Sequence, residues 1–221
     1  MLKMLLPIAL LVIVLVAAVL IRFRKGSPGG LFAKRRLTLE RKLEILAGCG
    51  LQLAEPFSSA DLAKSWNREL FEKPGFDMAL VGLGMTEERK PWRAYCVNLW
   101  NLDRRCIERH GDYKRIAERM VQMTQGTLIL KDIKDHVDIK KEIAWFSFLF
   151  RGRRFKVNCK VENDLLDTGI FASFVKLLKV ADPSRVYIYY DLGGQDCIIG
   201  CVLKEELKML NKRGIKFALL T

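Results

Sequence analysis

Residues Ile143 to Val161 read IAWFSFLF-RG-RRFKVNCKV, and this stretch decides the fold. Two runs rich in aromatic and β-branched residues flank Arg151-Gly152, which predicts two antiparallel strands joined by a two-residue turn. In that register Phe148 faces Phe155 and Phe146 faces Val157 on one side. On the other side Leu149 faces Arg154, Ser147 faces Lys156 and Trp145 faces Asn158. Both strands then agree on a single apolar face. A slip of one residue would turn that face to water, so the pattern fixes the register.

Working outward, Ile170–Val180 has helical periodicity and stops before Pro183. Arg185–Tyr190 and Cys197–Leu203 are read as strands around Gly193-Gly194, Lys204–Arg213 as a helix with Gly214 at its C-cap, and Ile215–Leu220 as a final strand. Upstream, Leu128–Ile133 is read as a strand. Tyr113–Met123 is read as a helix with Asp112 at its N-cap, preceded by a helical turn over Cys106–His110 closed by Gly111. Tyr95–Leu102 reads as a strand, while Asp77–Met85 is short and apolar and fits either type. Ser58-Ser59 starts a helix through Leu62, Trp66, Leu70 and Phe71 to Pro74. Leu37–Ala47 is a helix ended by Gly48 or Gly50. Helices and hairpins alternate without a βαβ rhythm, so the expected class is α+β with a largely antiparallel sheet and packed helices.

The N-terminus is different in kind. Leu5–Ile21 is LLPIALLVIVLVAAVLI, without a charge, which predicts one transmembrane helix of about 25 Å. One lysine precedes it. Arg22, Arg24, Lys25, Lys34, Arg35, Arg36, Arg41 and Lys42 follow, so the positive-inside rule places the rest of the chain in the cytoplasm. The expected organisation is an anchor over 1–25, a basic Gly/Pro linker over 26–36 and a soluble domain over 37–221, at the inner membrane. Of the net charge of +13, residues 1–42 carry +8 (nine Lys/Arg against one Glu). The basic group from Arg22 to Arg36 is suited to anionic lipid headgroups. The remainder lacks the charge density of a dedicated DNA-binding domain. Six cysteines, several inside apolar runs, read as free buried thiols in a reducing compartment.

Four places carry chemically interesting residues. Cys106 and His110 would share a helical face four residues apart, the arrangement of a nucleophile and its base; the competing reading packs Cys106 inward and leaves His110 in a last helical turn. In Asp132-Ile-Lys-Asp-His-Val-Asp138, a strand puts Asp132, Lys134, His136 and Asp138 on one face. His136 and its neighbouring carboxylates Asp135 and Asp138, together with Glu108, His110 and Asp112, could assemble a mixed nitrogen and oxygen donor set for a divalent metal, against the competing reading of a solvated charged strand in which Lys134 offsets the acids. Asp191 and Asp196 would oppose each other across a Gly193-Gly194 turn, or simply cap local N–H groups. The glycines match no dinucleotide or phosphate-binding fingerprint, and no cofactor is predicted. The outer face of the 143–161 hairpin joins Trp145 to Arg154, Lys156 and Lys160, with Arg151 and Arg153 at the tip. That face suits solvent first, a lipid surface second and single-stranded nucleic acid third.

The pattern W-x-x-D-x-x-C-I-E-x-H-G-D-Y from Trp100 to Tyr113, followed by D-H-V-D at Asp135–Asp138 and Y-D-L-G-G-Q-D-C at Tyr190–Cys197, resembles a group of uncharacterised bacterial proteins. The resemblance implies a bacterial source and draws attention to these segments. It carries no activity. With an anchor, a domain and no complete active site, the expected function is a membrane-tethered protein-interaction module. The alternatives are a hydrolytic, metal-assisted enzyme using His110, His136 and nearby acids or Cys106, and nucleic-acid binding by the hairpin.

Overall fold

The computed structural model describes residues 36–87 and 91–221, so the expected anchor and most of the basic linker lie outside the described residues. Four helices come first: α1 (Leu39–Ala47), α2 (Ser59–Ser65), α3 (Arg68–Phe71) and α4 (Asp77–Gly84). Then follow β1 (Leu99–Asp103), α5 (Asp112–Met123), β2 (Lys131–Asp138), β3 (Ile143–Phe150) and β4 (Arg153–Cys159). A 3₁₀ turn (Thr168–Ile170) leads into α6 (Phe171–Ala181), β5 (Arg185–Asp191), β6 (Asp196–Leu203), α7 (Lys204–Lys212) and the short β7 (Ala218–Leu219). The chain is α+β with antiparallel sheets. Among the described residues no helix is long and apolar enough to cross a membrane.

β3 and β4 pair in the register that the apolar alternation demands: Phe148 opposite Phe155, Phe146 opposite Val157, Trp145 opposite Asn158. β2 adds to the other side of β3, giving a three-stranded sheet in the order β2-β3-β4. The second sheet has the order β1-β6-β5-β7, with every pair antiparallel. β6 explains the apolar run around the cysteines. Cys197, Ile199 and Cys201 face one core cluster, Ile198 and Val202 the other, so both faces of the strand are buried. The first cluster lies among α5, α6 and the inner faces of both sheets, with Tyr113, Met120, Phe146, Phe148 and Phe174 at its centre. The second joins α1, α4 and α7 to the opposite face of the four-stranded sheet. α4 ends hard against β1: a Cβ on Gly84 would stand 2.5 Å from the Asn101 nitrogen, so only glycine lets the two backbones meet.

Several local expectations are corrected. Cys106–His110 is not helical. Arg105 bridges to Leu165, the Ile107 N–H donates to the Asp164 carbonyl, and the helix begins only at Asp112 with Gly111 (φ +98°) as its N-cap. The helix expected from Ser59 to Pro74 is two helices, because Trp66 and Asn67 are extended and the Asn67 side chain starts α3 by accepting from the Glu69 N–H. The strand expected at Leu128–Ile133 begins at Lys131 and runs on through the histidine segment to Asp138. Asp191 lies opposite Cys197, and Asp196 lies opposite Asp103 of β1. Lys42, expected in the basic cluster, is buried, and its ammonium donates to the carbonyls of Phe71 and Lys73, 2.5 Å each.

Candidate functional site

β2 is an edge strand, and its free edge is where the two histidine segments meet. The His110 ring lies 4.7 Å, centroid to centroid, from that of His136. His110 sits just before α5, and its Nδ1 accepts the Val137 N–H at 2.8 Å. That bond satisfies a backbone donor at the sheet edge, and it leaves the proton of the neutral ring on Nε2. Asp135 returns the connection. Its carboxylate accepts the Gly111 N–H at 2.8 and 2.9 Å and the Lys114 N–H at 3.2 Å, so a residue of β2 caps the first turn of α5. A carboxylate there satisfies orphan donors and meets the positive end of the helix dipole. His110 and Asp135 thus form a reciprocal clamp between helix and sheet.

From His136 a ladder of side chains crosses the outer face of the three-stranded sheet. His136 lies opposite Trp145, their rings 5.8 Å apart and 14° from parallel. The Lys156 ammonium lies over the far side of the ladder, 4.4 Å from the Trp145 ring centroid. The loop before α5 and then β2, β3 and β4 place His110, His136, Trp145 and Lys156 in a row, so each inner ring face meets a neighbour. The exposed end of the row is cationic. Asp132, at a β-bulge with φ +48°, pairs with Arg154 and with Lys134. Those ion pairs hold the Asp132 carboxyl below its ordinary range. Lys131, Lys140, Arg151, Arg153, Lys156 and Lys160 have no carboxylate partner among the described residues.

Charge is the quantity that sets this sheet apart. Residues 131–160 hold nine Lys/Arg against four Asp/Glu, while the rest of 43–221 holds twenty of each. The whole excess of residues 43–221 therefore lies in the segment that forms the three-stranded sheet and its turns. No helix covers the outer face of that sheet, where Lys134, Arg154, Lys156 and Asn158 are exposed.

The chemistry expected at the other segments is arranged differently. Asp112 accepts from the Glu108 and Arg109 N–H groups, at 2.8 and 2.9 Å, and pairs with Arg115. Asp138 accepts from the Lys141 N–H, which with the Lys141 ammonium holds its carboxyl low. The histidines converge, yet their neighbouring carboxylates are turned to backbone donors, and among the described residues no group of three or more His, Cys, Asp or Glu could hold a metal ion. Burial pushes the Cys106 thiol up to about 11, so it is protonated near neutrality and a weak nucleophile. Asp191 turns back on its own loop to accept the Gly193 N–H, while Arg104 donates to the carbonyls of Gly194 and Gln195. A polar cleft of about 710 Å³ between α1, α7 and the four-stranded sheet includes Asn98 and Glu206. The Asn98 amide already donates to Gly50 and Cys201, and the Glu206 carboxylate accepts from Leu203.

Sequence reasoning saw the outer hairpin face and both histidines. It missed that Lys156 and Trp145 continue the histidine pair as one row. The signal was the strand diagonal, legible only once β2 is placed beside β3. No protein-family model, curated protein or solved structure matches the chain.

Proposed function

We propose that the chain is a non-catalytic binding module, tethered at the cytoplasmic face of the inner membrane through Leu5–Ile21, that holds an acidic protein partner on the outer face of its three-stranded sheet. The observation that carries this reading is the concentration of the charge excess of residues 43–221 in the segment 131–160, whose Lys134, Arg154 and Lys156 stand exposed on a face that no helix covers. Such a field raises the encounter rate with an acidic surface and sets its orientation. The apolar run and the basic residues from Arg22 to Arg36 support the tether. A catalytic reading is disfavoured because Asp112, Asp135, Asp138 and Asp191 are spent on backbone N–H groups and the thiols are held protonated. Base stacking is disfavoured because the inner ring faces of the ladder meet one another, which removes the platform that single strands need.

The test is affinity capture from membrane extracts with the full chain and with a K156E/K160E variant, at low and high salt. A set of acidic proteins retained by the first, lost by the second and released by salt is expected. Identical sets on both would overturn the assignment of the surface.

A further inference from the structure

The tip of the three-stranded sheet is distinct from the ladder. Two aliphatic side chains stand in solvent there, Ile129 at 61 % and Val180 at 55 % exposure. Beside them lies a cleft of about 390 Å³, lined by Ile129, Lys131, Leu149, Phe150, Arg151 and Ala181 among others. Arg151 connects the two sides: it donates to the Val180 carbonyl at 3.1 Å and lies over the Phe150 ring at 5.3 Å. Arg153 lies over Phe155 in the same way at 5.5 Å. Lys131 lines the same cleft, and none of Lys131, Arg151 and Arg153 has a carboxylate partner among the described residues.

Solvent-exposed aliphatic side chains flanked by long cationic ones suit a bilayer interface. The aliphatics enter the acyl boundary and the bases reach anionic headgroups. An acidic protein would neutralise the bases but has no reason to need two protruding aliphatics beside a cleft. We infer that the β3–β4 tip, with Ile129 and Val180, docks on anionic phospholipid of the same bilayer that holds the N-terminal segment, and so turns the ladder face toward its partner. This rests on the tether proposed above. A linker of about ten residues keeps the domain close to the headgroups, so a weak contact is enough to orient it.

The experiment places the full chain in nanodiscs of phosphatidylcholine alone or with about a third phosphatidylglycerol, and follows amide hydrogen exchange by segment. Exchange over 127–131 and 150–153 slows about fivefold or more in the anionic discs, the scale set by each base near such a surface. The slowing is lost in I129S/V180S and in R151N/R153S, while β6 exchanges as before in both. Equal exchange in the two kinds of disc overturns the tip contact and leaves the tether standing. Equal slowing without lipid at raised protein concentration overturns it in favour of self-association. A chain that washes out of the discs overturns the tether, and the tip contact with it.

Discussion

His110 Nδ1 and the Val137 N–H are joined at 2.8 Å across the gap between α5 and the free edge of β2. An orphaned, part-buried backbone donor costs about 1–3 kcal/mol. His110→Phe keeps the ring contact with His136 but offers no acceptor, and it is expected to lower the free energy of unfolding by about that amount. His136→Phe, which keeps the stack on Trp145 and breaks no hydrogen bond, is expected to cost less than about 1 kcal/mol. Urea denaturation of the two variants separates a capping role for His110 from a purely stacking one. Equal losses would show that the Val137 bond contributes nothing.

Asp135 supplies the other half of the clamp, accepting from Gly111 and Lys114. Asp135→Ala is expected to destabilise the domain by about 0.5–2 kcal/mol, the range for losing an N-cap, and to increase amide exchange in the first turn of α5. Chelator should leave the melting temperature of the parent chain unchanged, since the carboxylate is committed to backbone donors. A fall of several degrees on adding a chelator would instead return Asp135 and His136 to the role of metal ligands.

These clamps also mark how far the sequence could be read. The hairpin register was legible in full, because period-two alternation and a two-residue turn are local signals. The α5 N-cap was not: its acceptor is on a strand more than twenty residues away, so Cys106–His110 looked helical when only Gly111 and Asp112 begin the turn. The Asp191–Asp196 pairing failed by one residue, since Gly193 and Gly194, both at positive φ, widen the turn and move Cys197 opposite Asp191. Lys42 was counted with the surface bases because nothing local reveals carbonyl partners at Phe71 and Lys73.

Burial raises all six thiols. Cys96, Cys106 and Cys197 are pushed up to about 11, and Cys159 and Cys201 to about 12, from an ordinary value of 9.0. Burial also raises Tyr113, Tyr187 and Tyr190. A pKa raised on folding gives stability that is complete below the unfolded value and is lost as pH climbs to the folded one. The urea midpoint should therefore hold to about pH 8 and fall steadily between pH 9 and 12. Lys42 and Arg119, pushed down by burial, act in the opposite sense but are fewer. Native thiols should react slowly with iodoacetamide at pH 7.5 and quickly in urea. A flat stability profile to pH 11 would contradict the buried-thiol account.

Arg151 and Gly152 form the β3–β4 turn with φ of +50° and +78°, the left-handed pair that favours Asn-Gly. An arginine at the first position carries a cost that asparagine would relieve, up to about 1 kcal/mol. Against that gain stand the contacts Arg151 makes with the Phe150 ring and the Val180 carbonyl, each exposed and worth about 0.5 kcal/mol. The effects nearly cancel, so Arg151→Asn alone is expected to leave the urea midpoint within about 0.5 kcal/mol of the parent. In anionic nanodiscs the same substitution should remove part of the exchange protection over 150–153. Stability held with protection lost would assign the arginine to the bilayer contact. A loss of 2 kcal/mol or more with protection intact would show that it is kept for the fold.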